Sequence, residues 1–433
     1  MNTELRRGAG YTLFVLFLIN FLNFFDRVLP GVVLEPVRKE FGLSDTMSGV
    51  LGTAFILVYA IAGLPLGRLA DRLPRNRLLG VGVAAWSLLT AASGAVGSFT
   101  TMLIARMGVG IGEASCAPAA NSMIGDLYPS HRRARALGMF MLGLPLGSLA
   151  CFAVGGWLAR EYGWRVPFLL AAIPGLIVAV LAWRLAEPPR GGQDQAAPAG
   201  AIDQPFRRIL RIRTVWWIIV SGAAVNFAAY ALNTFLPALL VRVHGLDLAQ
   251  AGGISSLVLG ATGLVGLTAG GALADRLHQR FPRGRLFAGA LAMLLAAPLL
   301  WLGLRQAPGA VTALTLLLGA GWLLYFIYFV TVYPALQDVI EPRLRATGMA
   351  VYFFFQYVLG GALGTLVTGA LSDHYAKAAM AAASAATMSP AFVASGLRDS
   401  LALAVPLAVL VTGLALLLAT RSFVGDHRAM HDR

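Results

Sequence analysis

Four ionisable side chains stand where charge is costly: Asp26, Arg27, Arg106 and Glu113 each lie within a long apolar run. A central Asp or Arg in a membrane costs about 2.5–3.5 kcal/mol on insertion scales, so such groups are retained facing a cavity and one another. Asn20, Asn23, Arg27 and Pro30 follow steps of 3, 4 and 3, which is one face of a helix with Asp26 beside it. Arg106, Gly110, Glu113, Ala117 and Asn121 follow steps of 4, 3, 4 and 4. The two stripes are expected to face a shared interior. The chemistry open to them is proton exchange, because the proton affinity of a buried carboxylate depends on how close an arginine stands. Asp26 and Glu113 are therefore the candidate proton carriers. Arg27 and Arg106, with Asn23, are candidates for tuning them or engaging an anionic head group.

The elements that must position these groups follow from composition. Of 433 residues, 58% are hydrophobic and only 12% charged, against roughly 25% charged in a soluble domain. A soluble enzyme is excluded, and at roughly 20 residues per membrane-spanning helix the apolar content limits the chain to about twelve spans. Apolar segments fall at 11–33, 46–69, 78–97, 101–125, 136–158 and 166–185, then at 214–241, 250–273, 285–304, 310–336, 347–371 and 400–420. Residues 187–211 between the sets are rich in Pro, Gly, Gln and Asp and read as a connecting loop. Arg6 and Arg7 before the first run resemble a secretory signal, but that run is long, contains Asp26 and Arg27, and has no small-residue cleavage site. Cys116 and Cys151 lie in apolar runs, where a buried thiol is expected.

The net charge of +14 could signal a nucleic-acid partner, but its distribution points elsewhere. The termini and alternate loops hold 24 basic residues and the opposite loops hold 8. By the positive-inside rule this bias places both termini in the cytoplasm and supports an even span count. Nucleic acid need not be invoked.

The halves repeat. The segment from Gly67 to Leu73 (Gly-Arg-Leu-Ala-Asp-Arg-Leu) recurs from Gly271 to Leu277 as Gly-Ala-Leu-Ala-Asp-Arg-Leu, after spans 2 and 8. Arg135-Ala136-Leu137-Gly138-Met139 recurs as Arg345-Ala346-Thr347-Gly348-Met349, opening spans 5 and 11. The expected fold is an all-α membrane protein with twelve transmembrane helices in two pseudo-symmetric six-helix bundles, 1–186 and 212–433, joined by a cytoplasmic linker at 187–211. Such an arrangement describes a transporter of the major facilitator type, whose halves are related by an axis along the membrane normal.

The loop Gly67-x-x-x-Asp71-Arg72-x-x-Arg75-x-Arg77 resembles the signature between helices 2 and 3 of the major facilitator superfamily. Glycine permits close helix approach, and ion pairs made by Asp71, Arg72 and Arg75 can bias one conformation as the halves rock. Asp126 and Asp338, at the ends of spans 4 and 10, are expected partners for these arginines. Asp275 and Arg276 repeat the motif in the second half.

The second half lacks the intramembrane charges. Aligning Leu29-Pro30 with Leu236-Pro237 sets Asn233 opposite Asp26 and Thr234 opposite Arg27, while Tyr325 falls opposite Glu113. Spans 10 and 11 are aromatic, from Trp322 to Tyr357, with Gln356 among the rings. Three consecutive phenylalanines, Phe353 to Phe355, cannot all face one way, so packing is expected for most of them. One charged half and one aromatic half suit an amphipathic substrate, with Asn233, Tyr325 and Gln356 as candidate contacts.

At the level of individual motifs the chain resembles the Spinster family of lipid transporters. The likeness rests on Asn23-Phe24-Phe25-Asp26-Arg27, on the run from Arg106 to Ser115 (Arg-Met-Gly-Val-Gly-Ile-Gly-Glu-Ala-Ser), on Ile124-Gly125-Asp126-Leu127, and on Leu144-Pro145-Leu146-Gly147-Ser148. It lies almost wholly within residues 20–150. The resemblance implies transport of lysophospholipid or sphingosine-phosphate-like lipids, coupled to protons through Asp26, Arg27 and Glu113, by a protein that acts as a monomer. The arginine-rich composition, short loops and lack of targeting tails fit a bacterial inner-membrane setting. There a proton antiporter for drugs or other small organic anions, or a passive lipid scramblase, stays open beside the lysolipid or sphingolipid reading.

An intramembrane enzyme is disfavoured. The chain has no Gly-x-Ser-x-Gly elbow, no histidine within a span and no Walker loop, and no His/Cys cluster with metal spacing, so neither cofactor nor metal is expected. A transporter-like sensor is disfavoured by the short tail after span 12.

Overall fold

A computed structural model describes residues 3–190, 204–280, 283–341 and 344–431. Their regular structure is helical, beginning with α1 (Thr3–Val32), α2 (Leu34–Phe41), α3 (Asp45–Arg72), α4 (Arg75–Gly94), α5 (Phe99–Glu113) and α6 (Cys116–Leu127). Next come α7 (Ser130–Met141), α8 (Gly143–Ala150), α9 (Gly156–Tyr162), α10 (Arg165–Trp183), α11 (Pro205–Leu210), α12 (Arg213–His244) and α13 (Leu248–Ser255). The series ends with α14 (Thr262–Arg280), α15 (Gly284–Leu304), α16 (Val311–Asp338), α17 (Arg345–Phe355), α18 (Leu363–Ala382) and α19 (Pro390–His431). The linker residues 191–203 lie outside the described residues. Eleven stretches of the described chain are long and apolar enough to cross a membrane.

The fourth expected span, 101–125, is covered instead by two shorter helices, α5 and α6. The break follows from Pro118, the third residue of α6, which has no N–H to offer the carbonyl four residues back. The chain closes the gap with a tight turn, in which the Ser115 N–H and Oγ both donate to the Gly112 carbonyl, at 3.2 and 2.8 Å. Glu113 thus ends α5 at a bend inside the apolar run. Every expected span is therefore helical, and one of them is bent where it carries charge.

The chain forms two compact units. One comprises 1–42, 54–200 and 248–256; the other comprises 43–53, 201–247 and 257–433. Both use the same packing device between their first and fifth spans. In the first unit the Asn20 Nδ2 donates to the Phe140 carbonyl at 2.8 Å, and Gly143 and Gly147 then bring α8 against α1. In the second, the Asn226 Nδ2 donates to the Gln356 carbonyl at 2.9 Å, and Gly360 and Gly364 bring that span against α12. Small residues four apart let helix backbones approach closely, and a polar side chain bonds across them. Three spans, the fifth, eighth and eleventh, contain π-helical turns, at Cys151–Gly155, Ser256–Ala261 and Gln356–Ala362. Such turns change helix register locally and are frequent at functional sites.

The two cysteines are buried and free. Phe354 is exposed while Phe353 and Phe355 are half-buried, as three neighbouring helix positions require.

A Cβ on Gly147 would stand 2.2 Å from the Phe21 carbonyl oxygen, whereas one on Gly125 would meet nothing within 4 Å. Gly147→Leu is expected to force α8 from α1 and cost about 1–3 kcal/mol, typical of overpacking. Gly125→Ala should leave the detergent melting temperature unchanged. Equal melting of both variants would show that the close approach is not limiting.

Candidate functional site

In the first unit the stripes of α1 and α5 meet. Arg27 reaches Glu113 through Nη2 at 3.1 Å and Nε at 3.3 Å, and the same Nη2 donates to Asn23 Oδ1 at 3.1 Å. Both side chains of the pair are removed from solvent, at 4% and 0% exposure. Three rings surround the guanidinium, with Tyr59, Phe24 and Phe55 centroids 4.5, 4.9 and 5.6 Å from its carbon. A cation held against aromatic faces away from water gains attraction from each ring quadrupole. Arg106 also lies over Phe55, and its Nη2 donates to the Asp26 backbone carbonyl at 3.1 Å.

The carboxylates differ. Glu113 is ion-paired, while Asp26 is buried without an ion pair among the described residues. The side chains of Trp86 and Thr90, on α4, face Asp26. Asp26, Asn23, Trp86, Thr90, Arg106 and Glu113 are all buried, so their polar atoms are gathered in one patch away from solvent. Ionisable groups gathered inside apolar spans mark a candidate site rather than a core. Trp86 and Thr90 did not stand out in the sequence. Their spacing of four on span 3 was the available signal, and it is indistinguishable from ordinary packing.

Arg75 is fully buried and binds Asp126, Glu187 (Nε to Oε1, 2.6 Å), Ser122 (2.7 Å) and the Pro188 carbonyl (2.8 Å). These partners tie together the ends of α4, α6 and the segment after α10, all within one unit. Gly67 is half-buried, and Asp71 and Arg72 are exposed. In the second unit the matching contact joins Asp338 to Arg285, at 3.5 Å, an arginine the motif comparison passes over. Arg276 is exposed, and the side chain of Asp275 lies outside the described residues.

The remaining candidates belong to the second unit. Asn233 turns back on its own helix, donating to the Ala229 carbonyl at 2.8 Å. Tyr325 stacks on Trp322 with centroids 4.1 Å apart and planes 4° apart, and its hydroxyl lies 3.4 Å from the Val225 carbonyl. Gln356 is buried at the start of its π-helical turn. The Tyr328 hydroxyl bonds Ser221 and Tyr352, each at 2.9 Å, forming a buried hydroxyl chain within the aromatic cluster.

A second ionic cluster in this unit escaped the sequence. Asp45 Oδ2 accepts from Arg242 at 2.8 Å and from Ser372 at 2.6 Å. Asp373 accepts the backbone N–H groups of Asp45 (3.0 Å) and Thr46 (2.9 Å), and the Thr46 hydroxyl. It therefore caps α3 from a distant helix, satisfying donors that every helix N-terminus leaves open. Residues 327 positions apart bear no local signal of such a contact.

Residues 16–365 match the family model of the Major Facilitator Superfamily. The chain belongs to that superfamily. It is 34% identical over 378 residues to an MFS-type efflux pump of Mycolicibacterium smegmatis, covering 85% of each chain. It is 28% identical to the sphingosine-1-phosphate transporter SPNS2 of Danio rerio, over 82% of this chain and 74% of that one. Among solved structures, a bacterial homologue of the human lysosomal transporter Spinster, inward-facing and unoccupied, superposes with a TM-score of 0.87 at 29% identity, covering 98% of this chain and 99% of that one. The superfamily member is thus a multi-pass transporter of the cell membrane with Spinster kinship, and not an enzyme.

Removing one partner of a buried ion pair leaves an uncompensated charge and typically costs 3–5 kcal/mol. Arg27→Met and Glu113→Gln should each lower the melting temperature clearly, and the double variant should recover much of the loss. A double-mutant cycle with no coupling would mean that the pair carries no stability.

Proposed function

We propose that this superfamily member is a proton-coupled secondary transporter. It works by alternating access on an amphipathic, anionic, lipid-like substrate of the lysophospholipid or sphingolipid type. The observation that carries the reading is Arg27, a buried guanidinium in an aromatic cage whose charge partner, Glu113, is itself able to take a proton. Protonation of Glu113 removes the charge that holds Arg27, and the guanidinium is then available to an anionic head group. Return of the carboxylate displaces that group. Asp26, with no ion pair to break, is the second proton carrier, and Trp86, Thr90 and Arg106 orient it. The kinship with a sphingosine-1-phosphate transporter supports the lipid class. Tyr325, Gln356 and Asn233 of the second half are the further candidate substrate contacts.

In this reading the functional units are the halves 1–186 and 212–433, linked at 187–211, with both termini cytoplasmic and the monomer sufficient. Asp71 and Arg72, near Gly67 in the first half, and Asp275 and Arg276 in the second serve as conformational latch residues, while the pairs Arg75–Asp126 and Arg285–Asp338 brace each half. The start of α3 is the complementary point of release, because Asp45 and Asp373 hold it through bonds that can be broken and remade. Similarity to an efflux pump favours one second reading, proton antiport of drugs or other small organic anions.

Proteoliposomes separate these readings. A pH gradient should drive uptake or release of a labelled lysolipid. Asp26→Asn and Glu113→Gln should abolish that drive while substrate counterflow persists. Full gradient-driven transport by both variants would remove the coupling role; lipid equilibration indifferent to pH in the parent protein would point to a scramblase; transport of organic anions alone would favour the antiporter. Separately, Asp45→Asn and Asp373→Asn should raise the labelling rate of a cysteine placed at the outer end of α3 severalfold, and an unchanged rate would relieve that cluster of any gating role.

A further inference from the structure

A cavity of about 730 Å³ lies in the first unit, away from the buried charges, between the first turns of α1 and the span formed by α7 and α8. Its walls are two helical stripes. On α1, Leu13, Phe14 and Phe17 follow steps of 1 and 3, and Gly10 continues the face. Opposite, Arg132, Arg135, Met139 and Leu142 follow steps of 3, 4 and 3. The stripe changes character along its length, with two arginines at the end near the loop and apolar side chains below. Arg132 and Arg135 are exposed, and neither has an ion pair among the described residues. Tyr128, at the same end, has its hydroxyl engaged by the Ala9 carbonyl at 3.0 Å, so the arginines supply the free polar groups there. Phe14 and Met139 are 55% and 50% exposed, which opens the apolar part to the surrounding lipid.

We propose that this groove binds an anionic phospholipid of the leaflet on the arginine-rich side, its phosphodiester held by Arg132 and Arg135 and an acyl chain lying along Phe14, Phe17, Met139 and Leu142. The volume suits an amphiphile rather than an ion, since ligand sites of about 300–1,000 Å³ are mostly apolar with a few placed polar groups. The charge selects the head group: basic pockets between transmembrane helices on the cytoplasmic side bind anionic lipid head groups. Topology alone calls for arginines in this loop, but it does not require two of them on the stripe that continues into an apolar groove. The site is independent of what the protein transports.

The test uses delipidated full-length protein in detergent, with phosphatidylglycerol and phosphatidylcholine as probes, read by melting temperature and native mass spectrometry. Phosphatidylglycerol should raise the melting temperature at micromolar concentration and remain bound at a defined stoichiometry, and phosphatidylcholine should do neither. Arg132→Gln with Arg135→Gln should weaken phosphatidylglycerol binding roughly thirtyfold, since each arginine contributes about fivefold at an anionic surface. Gly10→Leu adds bulk where a Cβ would meet nothing within 4 Å. It should displace the acyl chain with both arginines intact. Asp26→Asn should bind the lipid normally, so loss of coupling and loss of this site are separate results. Equal stabilisation by phosphatidylcholine, or unweakened binding by the double arginine variant, would overturn the proposal.

Discussion

Hydrocarbon offers no hydrogen bonds, and this constraint governs the molecule. A chain crossing it must satisfy its backbone within each helix, and any charge carried inward must meet a partner within the protein. The first condition makes the transmembrane architecture wholly helical and confines backbone irregularity to protein-lined places, such as the bend between α5 and α6. The second gathers Arg27, Glu113, Asp26 and Arg106 into one buried group in the first unit. The bend and the cluster are related, because Glu113 is the residue at which α5 stops.

The units meet the same constraint with shared means and different content. Each closes its first span on its fifth with an asparagine-to-carbonyl bond and glycines four apart, and each joins an arginine to an aspartate between its third and fourth spans. Inside, the first gathers Arg27, Glu113, Asp26 and Arg106, while the second holds an aromatic cluster with a hydroxyl chain through Ser221, Tyr328 and Tyr352 as well as the Asp45–Arg242 ion pair. A shared frame with divergent interiors is what duplication followed by specialisation leaves.

The buried carboxylates divide into one with an ion pair and one without among the described residues. Arg27 and Glu113, set among Phe24, Phe55 and Tyr59, form a buried ion pair, whereas Asp26 has none among the described residues and faces Trp86 and Thr90 on α4. A buried ion pair holds one arrangement together, because removing either charge leaves the other uncompensated.

Much of this was legible in the residues alone. Hydrophobic length set the spans, and two repeated motifs disclosed the duplicated plan. The four intramembrane charges stood out because such groups are rare in apolar runs and helical spacing shows which of them share a face. The pairing within the set was not legible, since periodicity assigns a residue to a face and leaves its partner open: Glu113 took Arg27, and Arg106 took the backbone of Asp26. Trp86 and Thr90 could not be told from packing residues, and Arg285 displaced the arginines expected beside Asp338. The cap of α3 by Asp373 joins residues hundreds of positions apart. Composition and local period are properties of a single helix, and the sequence by itself determined those. Which polar atoms meet depends on how helices distant in the chain come together, and only the tertiary structure decided that.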